Sequence, residues 1–168
     1  MSDLPYLRGY PEATLDRIRD LLAAGKLGAL IARRYPERHP YTNHKLLHGY
    51  VSELRQRHMK TAKSVSKVLY DDRLLVVEHA LGLHTFESRA HGSKLRARSE
   101  IRVAGLFRDV APEFLRMIVV HELAHLRERD HNRAFYRLCT SMEPEYHQYE
   151  FDLRLMLTAR EVEGASGQ

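Results

Sequence analysis

The chain of 168 residues contains a single cysteine, Cys139, and no tryptophan. One cysteine excludes an internal disulfide, and a chain without disulfides is typical of a reducing compartment. Cys139 is expected to pack as a small apolar side chain, since no histidine or asparagine is placed to activate it in a pattern that the sequence shows. We therefore expect a cytoplasmic protein without disulfide bonds.

Long apolar runs and linkers are also missing. No apolar stretch approaches the length of a membrane span, and the N-terminus lacks the basic and apolar regions of a signal peptide. There is no Gly/Ser-rich or Pro-rich linker and no repeat, and 168 residues suffice for one sizeable core. We predict one domain over residues 1–168, with an N-terminal helical region (1–62), a core region (63–160) and a frayed tail (161–168).

Acidic residues are fewer than basic ones, which gives a formal net charge of +5. The basic residues crowd in the segment 89–102, where Lys94, Arg96 and Arg98 would share one face of a strand. Such a stripe can follow the phosphates of a nucleic acid. A solvated basic edge that discourages strand aggregation has the same pattern. A nucleic-acid partner therefore stays one of two readings of this segment.

His121, Glu122 and His125 form a His-Glu-x-x-His motif. Histidines four positions apart on a helix differ by only about 40° around its axis, so both imidazoles can reach one metal ion. The carboxylate of Glu122 lies beside the first histidine and can act as a general base in metal-assisted hydrolysis without being a ligand. Apolar residues at helical spacing place the motif on an amphipathic helix. The motif predicts a zinc site with Glu122 as catalytic base.

The third zinc ligand has two candidates. Zinc in catalytic sites is held by three protein ligands, which leaves a fourth position open for water. His131 follows the helix directly, and its spacing resembles the metzincin pattern, although that pattern has Gly where this chain has Glu128. Glu145 lies 20 positions after His125, a spacing that resembles thermolysin-like enzymes. We predict His131 and keep Glu145 as the alternative.

Helical and strand-like patterns occupy different parts of the chain. Apolar periodicity predicts helices over residues 11–24, 26–34, 43–60, 112–127, 132–141 and 145–160. Strands are predicted over residues 65–70, 74–79, 83–87 and 101–107, the first two joined as a hairpin by Asp71-Asp72-Arg73. We therefore predict an α+β fold: an N-terminal helical region, a small antiparallel or mixed sheet, an active-site helix and C-terminal helices.

A family resemblance extends from about Gly92 to about Leu157. It is carried by residues 121–126, then by Asp130-His131-Asn132, Ala134-Phe135-Tyr136 and Pro144-Glu145-Tyr146. These residues resemble the YgjP-like metallopeptidases, relatives of the WLM and SprT groups. The resemblance implies a zincin-like core, with zinc held by His121, His125 and His131 and with Glu122 as the base. The chain has His91 and Lys94 where the family usually has Trp and Cys.

The motif and the resemblance together predict a zinc metallopeptidase that cleaves a protein or peptide substrate. The alternative is a metal-stabilised module that binds nucleic acid or another partner without catalysis, in which four protein ligands would close the metal site. Tyr136, Tyr146 and His147 are each candidates for stabilising the negative charge of the transition state. The sequence does not distinguish that role from packing for any of the three.

Overall fold

The computed structural model describes residues 4–74 and 100–165. Short 3-10 helices occupy Pro5–Leu7 and Gly105–Asp109. The helices and strands within the described residues are α1 (Glu12–Ala23), α2 (Leu27–Arg34), α3 (His44–His58), β1 (Lys67–Asp71), β2 (Glu100–Ala104), α4 (Pro112–Ala124), α5 (Arg133–Met142) and α6 (Tyr146–Ala165). The predicted α+β class is confirmed, and each helix that was predicted from apolar spacing is present.

Contacts within the chain define two compact units. Among the described residues, one unit contains residues 4–36 and 148–165, and the other contains residues 37–74 and 100–147. The histidine motif lies entirely in the second unit. The division of residues 1–168 into one domain with regions 1–62 and 63–160 stays a prediction.

In the first unit, α6 continues beyond the predicted helix end at residue 160. We expected residues 161–168 to be frayed, but the helix extends through Ala165. The carboxylate of Glu163 accepts hydrogen bonds from the backbone N–H groups of Leu27 and Gly28, at 3.1 and 3.2 Å. These groups begin α2 and have no partner inside that helix. The carboxylate also favours the positive end of the helix dipole, so this contact orders the C-terminal part of α6.

The second unit contains the strand pair. Strands β1 and β2 are parallel, with Val68 opposite Ile101 and Tyr70 opposite Val103. We expected an antiparallel or mixed sheet, so the direction of this pair corrects that prediction. Parallel neighbours need a long connection, and residues 72–99 provide one. Residues 75–79 and 83–87 of the other predicted strands lie outside the described residues.

Helix α4 is the central element of the second unit. It packs against α5 and α3, and every residue from Met117 to Ala124 is buried. A helix that is buried on all sides is apolar around its circumference. Over residues 117–124 the predicted amphipathic stripe is therefore only part of a surface that is buried on every side. At 13 residues α4 is too short to cross a membrane, and no other helix among the described residues is long and apolar enough to do so.

Candidate metal centre

The first two residues of the motif occupy the last turn of α4. The helix begins with Pro112, whose missing N–H costs nothing at that position. It ends at Ala124, and His125 is its C-terminal cap. The His125 N–H still donates to the His121 carbonyl oxygen at 3.3 Å, so the two histidines keep the spacing of one helical turn. The helix thus ends earlier than the predicted residue 127 without changing the motif.

A tight turn then brings the chain back to the helix end. The Glu128 N–H donates to the Ala124 carbonyl oxygen at 2.9 Å, and the Leu126 N–H donates to that of Leu123 at 3.0 Å. No non-glycine residue in the described parts of the chain has a positive φ. The turn therefore forms without the glycine of the metzincin pattern. It ends at Asn132, which caps α5.

The turn places His131 beside the other two imidazoles. Its Nε2 lies 3.0 Å from His125 Nε2 and 3.3 Å from His121 Nε2. In the described residues, these three side chains are the group whose donor atoms lie within 4.8 Å of one another. Three acceptor-capable nitrogens thus converge on one point.

The far nitrogens of two imidazoles have oxygen partners. His125 Nδ1 lies 2.9 Å from the Glu128 carbonyl oxygen, and His121 Nδ1 lies 2.8 Å from the Tyr146 hydroxyl oxygen. An imidazole whose Nδ1 carries a hydrogen has its Nε2 lone pair available for a metal. Such outer hydrogen bonds are a regular feature of histidine metal ligands.

Burial differs across the cluster. His121 is 2% exposed and Glu122 is 1% exposed, whereas His125 and His131 are half-buried. The ring of Phe135 contacts all three imidazoles, with centroid distances of 4.9, 4.6 and 4.8 Å to His121, His125 and His131. The cluster is therefore closed by apolar packing on one side and accessible near His125 and His131.

The arrangement fits zinc. Zinc binds imidazole nitrogen at about 2.0–2.1 Å in tetrahedral geometry, which separates two ligand nitrogens by roughly 3.3 Å. The two Nε2 separations of 3.0 and 3.3 Å agree with this value. Among the described residues the group supplies three donors, as in catalytic zinc sites, rather than the four of structural sites. The assignment of Glu122 as base and of the histidines as ligands stays a prediction at this point.

The other candidate residues lie at different places. Glu145 is exposed and does not belong to the three-histidine group, and the Cys139 side chain is buried. Tyr136 is half-buried, with its ring centroid 6.5 Å from that of His131. His147 is exposed, and its ring lies 5.5 Å from the ring of Tyr136. Of the residues considered for stabilising charge, only Tyr146 is buried and bonded to a histidine of the cluster.

Two features of the site had no signal in the sequence. The contact of Phe135 with all three imidazoles was not predicted. Likewise, the contact between Tyr146 and His121 joins residues 25 positions apart. Neither follows from local periodicity, because each depends on how α5 and α6 return to the end of α4.

Comparisons with known proteins match most of the chain. A family model described as YgjP-like, metallopeptidase domain, matches residues 25–155. A protein of Escherichia coli (strain K12) named UTP pyrophosphatase is 52% identical over 158 residues, which are 94% of this chain and 95% of the relative. No solved structure matches the chain.

Proposed function

Because the chain belongs to the YgjP-like metallopeptidase family, we propose that it is a metal-dependent hydrolase and that its substrate is a nucleoside triphosphate of the UTP type. The observation that carries the hydrolase proposal is the convergence of three imidazole Nε2 atoms. Glu122, which follows His121 in the chain, is buried. The similarity to a UTP pyrophosphatase over 94% of the chain supports the substrate.

In this proposal His121, His125 and His131 hold a zinc ion. When bound, zinc supplies Lewis acidity, which stabilises developing negative charge and makes a water molecule more acidic. The protein contributes fixed ligand positions and an apolar wall formed by Phe135. The half-buried edge at His125 and His131 is the side from which substrate reaches the site.

Glu122 is the proposed general base. It follows His121 directly in the chain, and its 1% exposure places the carboxylate in a surrounding that excludes bulk water. Electrostatic and proton-transfer effects are stronger there than in solution. Its role is to take a proton from the attacking water molecule.

The proposed reaction converts UTP and water into UMP and pyrophosphate. The water oxygen forms a bond with the α-phosphorus. The bond between the α-phosphorus and the oxygen that links it to the β-phosphorus breaks. One proton of the water goes to Glu122, and pyrophosphate leaves with the bridging oxygen. The reaction needs no oxidant, reductant or further substrate.

Peptide hydrolysis is the second candidate, and the description of the matching family model favours it. The same residues would serve, since a water oxygen would attack the scissile carbonyl carbon and Glu122 would pass its proton to the leaving amine. This was the activity predicted from the sequence. The identity of 52% to a UTP pyrophosphatase ranks it second.

One experiment compares both substrates on the same preparation. Wild type and Glu122→Gln would be purified with equal zinc content, and pyrophosphate release from UTP, CTP and ATP would be measured beside cleavage of an unfolded protein. We expect the wild type to release pyrophosphate from UTP. Glu122→Gln should retain zinc and lose several orders of magnitude in kcat, because the substitution removes the base and no ligand.

The outcomes separate the candidates. Cleavage of unfolded protein without pyrophosphate release would replace the nucleotide substrate by a peptide. Near-normal turnover by Glu122→Gln would exclude Glu122 as the base. A zinc-loaded wild type that is inactive on both substrate classes would contradict the hydrolase proposal and favour a binding module.

A further inference from the structure

Tyr146 contacts His121, one of the three clustered histidines. It is the first residue of α6 and is 1% exposed. Its ring is stacked on that of His121, with an interplanar angle of 20° and a centroid distance of 6.4 Å. Its hydroxyl oxygen lies 2.8 Å from His121 Nδ1. Because it is enclosed, Tyr146 does not present a surface to substrate.

The partner of His121 differs chemically from that of His125. At His125 the Nδ1 partner is the carbonyl oxygen of Glu128, which can only accept a hydrogen bond. The carbonyl therefore places the hydrogen on Nδ1 and keeps the lone pair on Nε2. A phenol can both donate and accept, so the hydroxyl of Tyr146 is compatible with either neutral form of His121. Only the form with hydrogen on Nδ1 leaves Nε2 able to bind a metal.

We propose that Tyr146 is a positioning residue for the metal centre. Its hydroxyl oxygen accepts the Nδ1 hydrogen of His121, which directs the Nε2 lone pair toward the point shared with His131 Nε2, 3.3 Å away. The role rests on the proposed function, because it requires that the three histidines bind a metal. The role distinguishes Tyr146 from Tyr136, which is half-buried and whose ring centroid lies 6.5 Å from that of His131.

The chain before Tyr146 is tied to the helix that carries His121. Arg116 of α4 forms an ion pair with Glu143 and donates to the Met142 carbonyl oxygen at 3.3 Å. The Tyr146 N–H donates to the Glu143 carbonyl oxygen at 3.0 Å. These contacts hold the start of α6 at a defined position along α4. The phenol therefore reaches Nδ1 without rearrangement of either helix.

The test compares Tyr146→Phe with Tyr136→Phe. Each change removes one hydroxyl from the same aromatic surroundings and keeps the ring. Zinc affinity would be measured by competition with a chelator, and thermal unfolding of the zinc-free proteins would report any loss of stability. We expect Tyr146→Phe to weaken zinc binding by about 10- to 100-fold, as removal of an outer-shell partner typically does, and Tyr136→Phe to leave it unchanged.

Nuclear magnetic resonance provides a second measurement. In zinc-bound protein labelled with 15N, the imidazole of His121 should carry its hydrogen on Nδ1, and that hydrogen should exchange slowly with water. In Tyr146→Phe the same hydrogen should exchange faster. A role in packing alone would change neither the exchange rate nor the zinc affinity of a folded variant.

Equal zinc affinity of Tyr146→Phe and wild type would overturn the proposal, as would equal weakening by Tyr136→Phe. Rapid exchange of the Nδ1 hydrogen in the wild type would overturn it as well. A wild type that binds no zinc would remove the proposed metal centre and this role with it. If the wild type binds zinc but hydrolyses no substrate, the proposed function fails, and the affinity of Tyr146→Phe still decides the role of Tyr146.

Discussion

The three histidines of the candidate metal centre have different surroundings. His121 is buried and contacts a phenol, whereas His125 is half-buried and contacts a backbone carbonyl. His131 comes from a turn rather than from the helix. The backbone position of His131 depends on the turn over residues 126–130, whereas the backbone of the other two histidines is set by the end of α4. We infer that His131 is the proposed ligand whose position is most sensitive to changes outside the helix.

The third ligand can be tested by two substitutions. His131→Ala should weaken zinc binding as strongly as His121→Ala or His125→Ala does, because each removes one of three donors. Glu145→Ala should leave zinc in place, since that side chain is exposed and outside the group. Zinc content under a competing chelator measures both. Zinc retained by His131→Ala and lost by folded Glu145→Ala would replace the three-histidine site with a site of two histidines and one carboxylate.

At the scale of elements, two helices begin with the same cap. Asn43 accepts a hydrogen bond from the Leu46 N–H at 2.9 Å, and Asn132 accepts one from the Phe135 N–H at 2.9 Å. The first cap begins α3 and the second begins α5. Only Asn132 adjoins a proposed ligand, because His131 precedes it directly. Substituting each asparagine therefore compares a cap that should affect stability alone with a cap that should also affect metal binding.

Asn43→Ala and Asn132→Ala should each lower the free energy of unfolding by about 1 kcal/mol, the usual cost of losing a cap. Zinc binding should weaken only in Asn132→Ala, since that cap fixes the end of the turn that carries His131. Urea unfolding of the zinc-free proteins and competition with a chelator measure the two effects. Equal zinc affinity of the two variants would show that the turn holds His131 without the cap.

A buried histidine joins the segment before α3 to the 3-10 helix Gly105–Asp109. His39 Nε2 donates to the Phe107 carbonyl oxygen at 2.6 Å, and its Nδ1 accepts from the Tyr41 N–H at 3.0 Å. The ring is 4% exposed, and burial lowers the pKa of His39 below its usual value. Protonation would place a hydrogen on Nδ1, opposite the Tyr41 N–H. The neutral form is therefore part of the folded state.

Protonation of His39 should make the stability of the folded protein depend on pH. Because the pKa of His39 is lowered by folding, the unfolded chain binds a proton more readily, and stability should fall as the pH drops below about 6.5. His39→Asn should be less stable than wild type at neutral pH, and its stability should fall less on acidification. Urea unfolding at about pH 7.5 and about pH 5.5 measures the difference. The same loss of stability in both proteins would contradict this role of His39.

For the whole molecule, metal binding and stability should be linked. All three clustered histidines and Tyr146 lie in the unit of residues 37–147, so a bound ion should stabilise that unit directly. Most of the basic segment 89–102 lies outside the described residues, and its binding to nucleic acid stays a prediction.

Zinc should raise the free energy of unfolding by about 4 kcal/mol when free zinc is about 1,000 times its dissociation constant, because only the folded state has the site. Thermal unfolding in a zinc buffer and in excess chelator measures the change. His121→Ala should unfold at the same temperature in both. A wild type whose unfolding temperature does not respond to zinc would argue against a preformed site.

The sequence alone determined the relation between His121, Glu122 and His125. One helical turn separates the two histidines wherever the helix forms, because backbone hydrogen bonds between residues four apart set that geometry. The same local periodicity predicted the helices that precede and follow the strands in the chain, with their approximate ends. His131 was also predicted, because it is close in sequence and follows a turn of only a few residues.

Only the tertiary structure decided which residues complete the surroundings of these histidines. Phe135 and Tyr146 reach His121 through the paths of α5 and α6, and the parallel direction of β1 and β2 depends on the long connection between them. Contacts of this kind join residues far apart in the chain, so no short-range pattern encodes them. They also depend on the burial of residues 117–124 of α4 on every side. The local sequence predicts the helices but not which of them pack around this final turn.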